Sequence, residues 1–270
     1  MKPEISPYEY FNAHDILTLL APLLDGGNFY LRPEDGKAKA KIVTLPRDTP
    51  WVHVKYRVEN DCGLWHQLTF NGIVKNLPTI SQFVPRGCQS CWKVVVKPRT
   101  VQQLFNLHEV QKKMDISSKC GIEIRPAVSE LYGGYFYNRS LEEGLECYDL
   151  VKKEMLENNK LAPLVDEVDD DGRTTRIILK RACTEFEHLL GDSSKWEVTP
   201  EQNFIEDLIE KNVISENPKF LQPDNLKCNV KKRWIEFAYA NGDETYRYYT
   251  GGKTLYPPYV TYHQKKDGAE

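Results

Sequence analysis

Apolar and polar positions along the chain change period several times, and each change predicts an element. Residues 13–24 carry apolar positions at helical spacing and stop at Gly26 and Gly27. Three extended stretches follow, at 40–45, 51–58 and 64–74. The second alternates cleanly, with Val52, Val54 and Tyr56 opposed to His53, Lys55 and Arg57, the pattern of a strand with one wet face. Pro78 and Pro85 then mark a boundary.

The next stretch is the most regular. Residues 92–97 form an apolar strand closed by Pro98, and Thr100 caps a helix to Met114 with Val101, Leu104, Phe105 and His108 on one face. Residues 120–125 alternate as a second strand. Gly133 and Gly134 lead into a third at 135–138, and Ser140 opens a helix striped with Leu141, Leu145, Tyr148, Val151 and Met155. After an acidic connector at 166–172, residues 176–182 form a fourth strand. The order strand-helix-strand-strand-helix-strand predicts an α+β fold with a central ferredoxin-like βαββαβ domain. Thr199, Pro200 and Glu201 start a further helix. Asn241-Gly242, between 234–240 and 245–249, predicts a C-terminal β-hairpin. The expected organisation is a β-rich segment at 1–84, the ferredoxin-like domain at 85–198, and a helix with an aromatic hairpin at 199–270.

Composition narrows the classes. The chain has 270 residues, 40% of them hydrophobic and 28% charged, which describes an ordinary globular protein. A net charge of −3 argues against a protein that coats nucleic acid, while leaving room for a local basic face. No apolar run reaches the roughly 20 residues of a membrane span, so no membrane partner is expected. The N-terminus has no secretory h-region, so a cytoplasmic location with reduced thiols is expected.

The candidate chemistry lies in the cysteines. Of seven, Cys88 and Cys91 form a CxxC just before the first central strand, Cys120 opens the second strand, and Cys183 follows the fourth. In the ferredoxin-like arrangement these places share one edge, with adjacent strands about 4.8 Å apart. Four thiolates suit tetrahedral zinc or, alternatively, an iron–sulfur cluster. Cys62 and His66 are the rival third and fourth ligands, and His188 is a substitute. Cys147 fits the core. Dithiol redox chemistry is disfavoured, because its CxxC opens a helix whereas this one runs into strand.

The same sheet predicts a basic face of Lys93, Lys97, Arg125, Arg176 and Lys180, with Tyr135 and Tyr137 beside it. Cations for phosphates and rings for bases are how an open sheet grips a single strand. The competing expectation is that another segment covers this face. No P-loop, GxGxxG, GxSxG or HExxH motif is present, and the acidic connector lacks the terminal glutamate of a calcium loop. His108, on an apolar helix face, reads as a core histidine. The sequence therefore predicts a zinc-stabilised binding or accessory protein engaging single-stranded nucleic acid or a protein partner. The alternative is an enzyme, either one using an iron–sulfur cluster or a hydrolase processing nucleic acid.

Overall fold

The structure is a computed structural model describing residues 29–34, 37–42, 49–55, 65–66, 68–70, 83–216 and 222–255, with backbone only for 29–34, 37–42 and 212–216. The predicted helix at 13–24 and the tip of the chain lie outside them. In chain order the strands are β1 (Phe29–Glu34), β2 (Lys37–Ile42), β3 (Trp51–Lys55), β4 (Trp92–Val96), β5 (Ser118–Ile122), β6 (Tyr132–Asn138), β7 (Ile177–Arg181) and β8 (Val213–Glu216). The helices are α1 (Arg86–Gln89), α2 (Val101–Met114), α3 (Leu141–Leu156), α4 (Ala162–Val165), α5 (Thr184–Leu190), α6 (Pro200–Asn212), α7 (Asp224–Ala240) and α8 (Arg247–Thr250).

This is a mixed helix and sheet protein built on a five-stranded antiparallel sheet in the order β3-β5-β6-β4-β7. A second sheet joins β1, β2 and β8. The interior strand β4 pairs on both sides, with Lys93 opposite Tyr137 and Lys180. The helices α2 and α3 follow β4 and β6, and both start as the sequence predicts. Thr100 Oγ1 accepts from Gln103 N at 3.2 Å, and Ser140 Oγ accepts from Glu143 N at 3.2 Å. Val94, Val96, Leu104, Leu107, Phe136, Val151 and Met155 form the core between them and the sheet.

Several expectations change. The buried face of α3 is Gly144, Cys147, Val151 and Met155, while Leu145 is 52% exposed. Within 64–74 the described residues, 65–66 and 68–70, are helical and not a strand. The C-terminal hairpin is absent from the described residues. Its first half belongs to α7, where Val230, Trp234 and Ala238 recur every four residues and are buried. Gly242, at φ 75°, reverses the chain after the helix, so the Asn-Gly signal ends a helix and makes no strand turn.

The following residues tie α7 back onto the centre. Asp243 Oδ2 accepts from Val101 N at 2.5 Å and from Tyr132 Oη at 2.9 Å, and Thr245 Oγ1 accepts from Gln102 N at 3.2 Å. They satisfy N–H groups that the first turn of α2 leaves open. Trp234 Nε1 donates to Pro50 O at 2.9 Å, which seats β3 against α7. Gly121 makes this approach feasible: a Cβ there would lie 2.2 Å from Pro50 O. Among the described residues no helix is long and apolar enough to cross a membrane.

Two outcomes follow from this packing. Gly121→Ala pushes against backbone, so it should cost roughly 1–3 kcal/mol in urea unfolding, and an unchanged midpoint would remove the close approach. Burial, with Lys231 adding to it, holds His108 down to about 4, with Glu109, Lys112 and Lys227 also facing it. The unfolded chain takes up that proton near pH 6.5 and the folded chain does not. Stability present above 6.5 is therefore lost as pH falls toward 4, at up to about 1.4 kcal/mol per unit. His53, brought down to about 3 by burial and Lys119, acts in the same direction. His108→Gln should flatten the urea midpoint against pH between 7 and 4.5, and a wild-type slope retained in that variant would count against this assignment.

Candidate thiolate centre

The CxxC folds as one tight turn. Pro85 O accepts from Cys88 N at 2.7 Å and from Gln89 N at 3.0 Å, and Cys91 N donates to Cys88 O at 3.2 Å. Both thiols are buried, 4% and 3% exposed, and neither is in a disulfide. The turn is gripped from two directions. On one side Glu206, 1% exposed, accepts from Arg86 N at 3.0 Å and from Gln202 Nε2 at 2.7 Å. Burial raises its pKa, and the Arg86 N–H and Gln202 amide offset that. On the other side Arg181 Nε donates to Gln89 O at 2.7 Å and its Nη1 to Ser193 O at 2.9 Å.

The strand β7 delivers the third thiol. Beyond its end, Ala182 takes φ 52°, an uncommon conformation for a residue with a Cβ, and its N–H donates to Cys91 O at 2.7 Å. Cys183 then meets β4: Lys93 Nζ donates to its Sγ at 2.9 Å. His66 donates a second hydrogen bond to the same sulfur, with its ring edge-on to Phe186 at 4.9 Å between centroids. Burial opposes the thiolate, yet Lys93 and His66 prevail and bring the thiol down to about 6.

Around this pair the sheet carries a dense charge network. Arg125 Nε donates to Glu123 Oε1 at 2.8 Å and its Nη1 to Glu185 at 3.2 Å, while Tyr135 Oη donates to Glu123 Oε2 at 2.8 Å. Lys180 is paired with Glu187. Lys119 is different: its ammonium lies 4.4 Å from the Trp51 ring and 5.6 Å from the Tyr135 ring. Burial, then Lys93, lower it to about 8.

The structure brings Cys88, Cys91 and Cys183 to one end of the sheet but leaves Cys120 elsewhere. Cys120 pairs with Gly134, which pairs with Val96, so it is level with the far end of β4. That places it roughly 17 Å along and 10 Å across from Cys91. It also faces the helices, where burial pushes its thiol up. The sequence error is one of register, since β5 begins at Ser118 and slides Cys120 inward. Cys62 lies outside the described residues, and His188 is exposed on α5. Among the described residues no three His, Cys, Asp or Glu side chains form a group that could hold a metal ion.

The basic face has the composition expected, but its groups turn inward. Lys93 is 5% and Tyr135 8% exposed, and Arg125 and Lys180 have carboxylate partners. Lys97 is half-buried beside β7, its N donating to Arg176 O at 2.9 Å. Sequence reasoning missed Lys119, Trp51 and Glu185. The available signal was alternation: Lys119 precedes Cys120, so one faces away from the helices when the other faces them. No protein-family model, curated protein or solved structure matches this chain.

A double-mutant cycle tests whether Lys93 and Cys183 act as a pair. Cys183→Ser and Lys93→Met should each destabilise, and the double variant should lose less than their sum by about 0.5–3 kcal/mol in urea unfolding. Strict additivity would mean that the two groups do not interact.

Proposed function

We propose that this protein is a thiol-dependent enzyme whose working group is the Cys183 thiolate. The observation that carries this reading is the 2.9 Å hydrogen bond from the buried Lys93 ammonium to Cys183 Sγ. The thiolate, not the thiol, is the nucleophile, and cationic neighbours are what generate it near neutral pH. In this reading Cys183 attacks, Lys93 holds the sulfur charged, and His66 moves the proton between sulfur and leaving group. The left-handed backbone at Ala182 supports it, because strain of that kind collects where a side chain must be aimed. The scaffold in this reading is ferredoxin-like. Support comes from the order β7-β4-β6-β5, with α2 between β4 and β5 and α3 between β6 and β7.

A second reading, a zinc-stabilised binding or accessory protein, is favoured by the burial of Cys88 and Cys91 in a turn clamped from both sides. Two thiolates on a rigid turn are half of a tetrahedral site. Engagement of single-stranded nucleic acid has less support, since Lys93 and Arg125 already face internal partners.

Alkylation read by mass spectrometry separates these readings. Cys183 should react with iodoacetamide with a midpoint near pH 6, against roughly 8.5 for a free thiol. Lys93→Gln should move that midpoint upward, with exposed Cys228 as the internal reference and buried Cys120 and Cys147 silent. Stoichiometric zinc in untagged protein, with Cys88 and Cys91 reacting only after a chelator is added, would install the second reading. A Cys183 that reacts only above pH 8 would end the first.

A further inference from the structure

Three thiols meet at one end of the sheet, and the thiolate reading uses only one of them. Cys88 and Cys91 are 4% and 3% exposed, while Cys183 is half-buried and reaches solvent. A reagent from solution therefore meets Cys183 first.

Register brings Cys91 beside it. The Trp92 Cβ lies 3.3 Å from where a Cβ on Gly144 of α3 would be, so Trp92 faces the helices. By strand alternation Cys91 and Lys93 face the other way, and there the Lys93 ammonium meets Cys183 Sγ. Ala182 N donates to Cys91 O at 2.7 Å, which makes the two residues cross-strand neighbours with Cα atoms about 5.5 Å apart. Cys183 is one residue further, so at most about 9 Å separates its Cα from that of Cys91, against roughly 4.4–6.8 Å across a disulfide. Ala182, held at φ 52°, is the joint at which a small main-chain shift closes that gap. Cys88 stands behind: Cys91 N donates to Cys88 O at 3.2 Å, and Cys88 belongs with Ala182 and Phe186 to the cluster on which Cys183 packs. An accessible thiolate backed by a second thiol is the arrangement of cysteines that pass through a sulfenic acid. A thiolate that attacks carbon alone has no use for the pair behind it.

We infer that Cys183 reduces a small hydroperoxide and that Cys91 and then Cys88 take the oxidation from it. The inference rests on the thiolate reading above and names its substrate class. The Cys183 sulfur attacks the terminal peroxide oxygen. An S–O bond forms, the O–O bond breaks, and the departing alkoxide takes the proton that His66 had received from the thiol. The sulfur has lost two electrons and is a sulfenic acid. The Cys91 thiol attacks it, so that an S–S bond forms, the S–O bond breaks, and hydroxide leaves with the Cys91 proton as water. Cys88 then attacks the Cys91 sulfur. Cys183 departs as a thiolate, the Cys88 proton returns to His66, and the two-electron oxidation rests on the CxxC as a disulfide. An external dithiol reduces it by exchange.

Hydrogen peroxide, followed by alkylation and peptide mapping without reductant, tests this at pH 7. Wild type should yield a Cys88–Cys91 disulfide with Cys183 still a thiol. Cys183→Ser should slow that oxidation about tenfold or more, because thiol oxidation follows thiolate character and exposure. Cys88→Ser should trap a Cys91–Cys183 disulfide, and Cys91→Ser should leave a sulfenic acid on Cys183 that dimedone labels. A Cys88–Cys183 linkage in Cys91→Ser would overturn the order of the relay. Wild-type protein alone decides the main point whether or not the variants fold. Dimedone on Cys183 with both CxxC thiols still reduced would overturn the relay and leave the reactive thiolate standing. A Cys183 inert to both peroxide and iodoacetamide at pH 7 would overturn the thiolate reading and the relay with it.

Discussion

A lysine ammonium on an interior strand of a sheet, 5% exposed, has to be given a negative charge, and much of this molecule is arranged around that requirement. Lys93 sits on β4, with β6 on one side and β7 on the other. A carboxylate would be the ordinary counter-ion. Here a sulfur takes that place, and Lys93 and His66 together hold it as an anion. Each group justifies the charge of the other, and removing either leaves a partner in the wrong protonation state.

That pairing depends on where β7 ends. Cys183 meets Lys93 because Ala182 turns through the left-handed region while its N–H stays bonded to Cys91 O. The Cys91 carbonyl is in turn fixed by a turn that Glu206 and Arg181 hold from opposite sides. The CxxC therefore has a structural role in the thiolate reading even without a metal: it is the anvil on which the end of β7 is bent. The carboxylate of Glu206 is nearly inaccessible, so α6 is tied to this turn by hydrogen bonds that water does not compete for.

The parts of this arrangement that were legible in the sequence are those set by local rules. Thr100 and Ser140 announce helices because a hydroxyl before an apolar period satisfies open N–H groups, and both do so. The element order from β4 to β7 follows from periodicity alone. What failed depended on register or on tertiary choice. Sliding the start of β5 by two residues moves Cys120 along the sheet, and its pairing with Gly134 puts it among the helices. Asn241-Gly242 is a hairpin signal only if strands flank it. Here Trp234 and Ala238 find a buried face at helical spacing, so Gly242 serves the end of α7. The anionic partner of Lys93 was invisible for a different reason: 90 residues separate it from Cys183, and no local pattern reports so distant a contact.

Two perturbed groups of this face change charge on either side of neutral pH. Cys183 is charged above about 6 and Lys119 below about 8, so both carry charge across the interval between. Below it the sulfur is protonated and Lys93 faces a neutral thiol there. Above it Lys119 gives up its proton. Burial alone would have moved both groups toward neutrality, the thiol upward and the amine downward. Lys119 follows burial, whereas Cys183 is carried the other way by the cations around it. Lys119 moves less far than burial alone would carry it, because the charged sulfur and Glu123 lie on the same face and favour its protonated form.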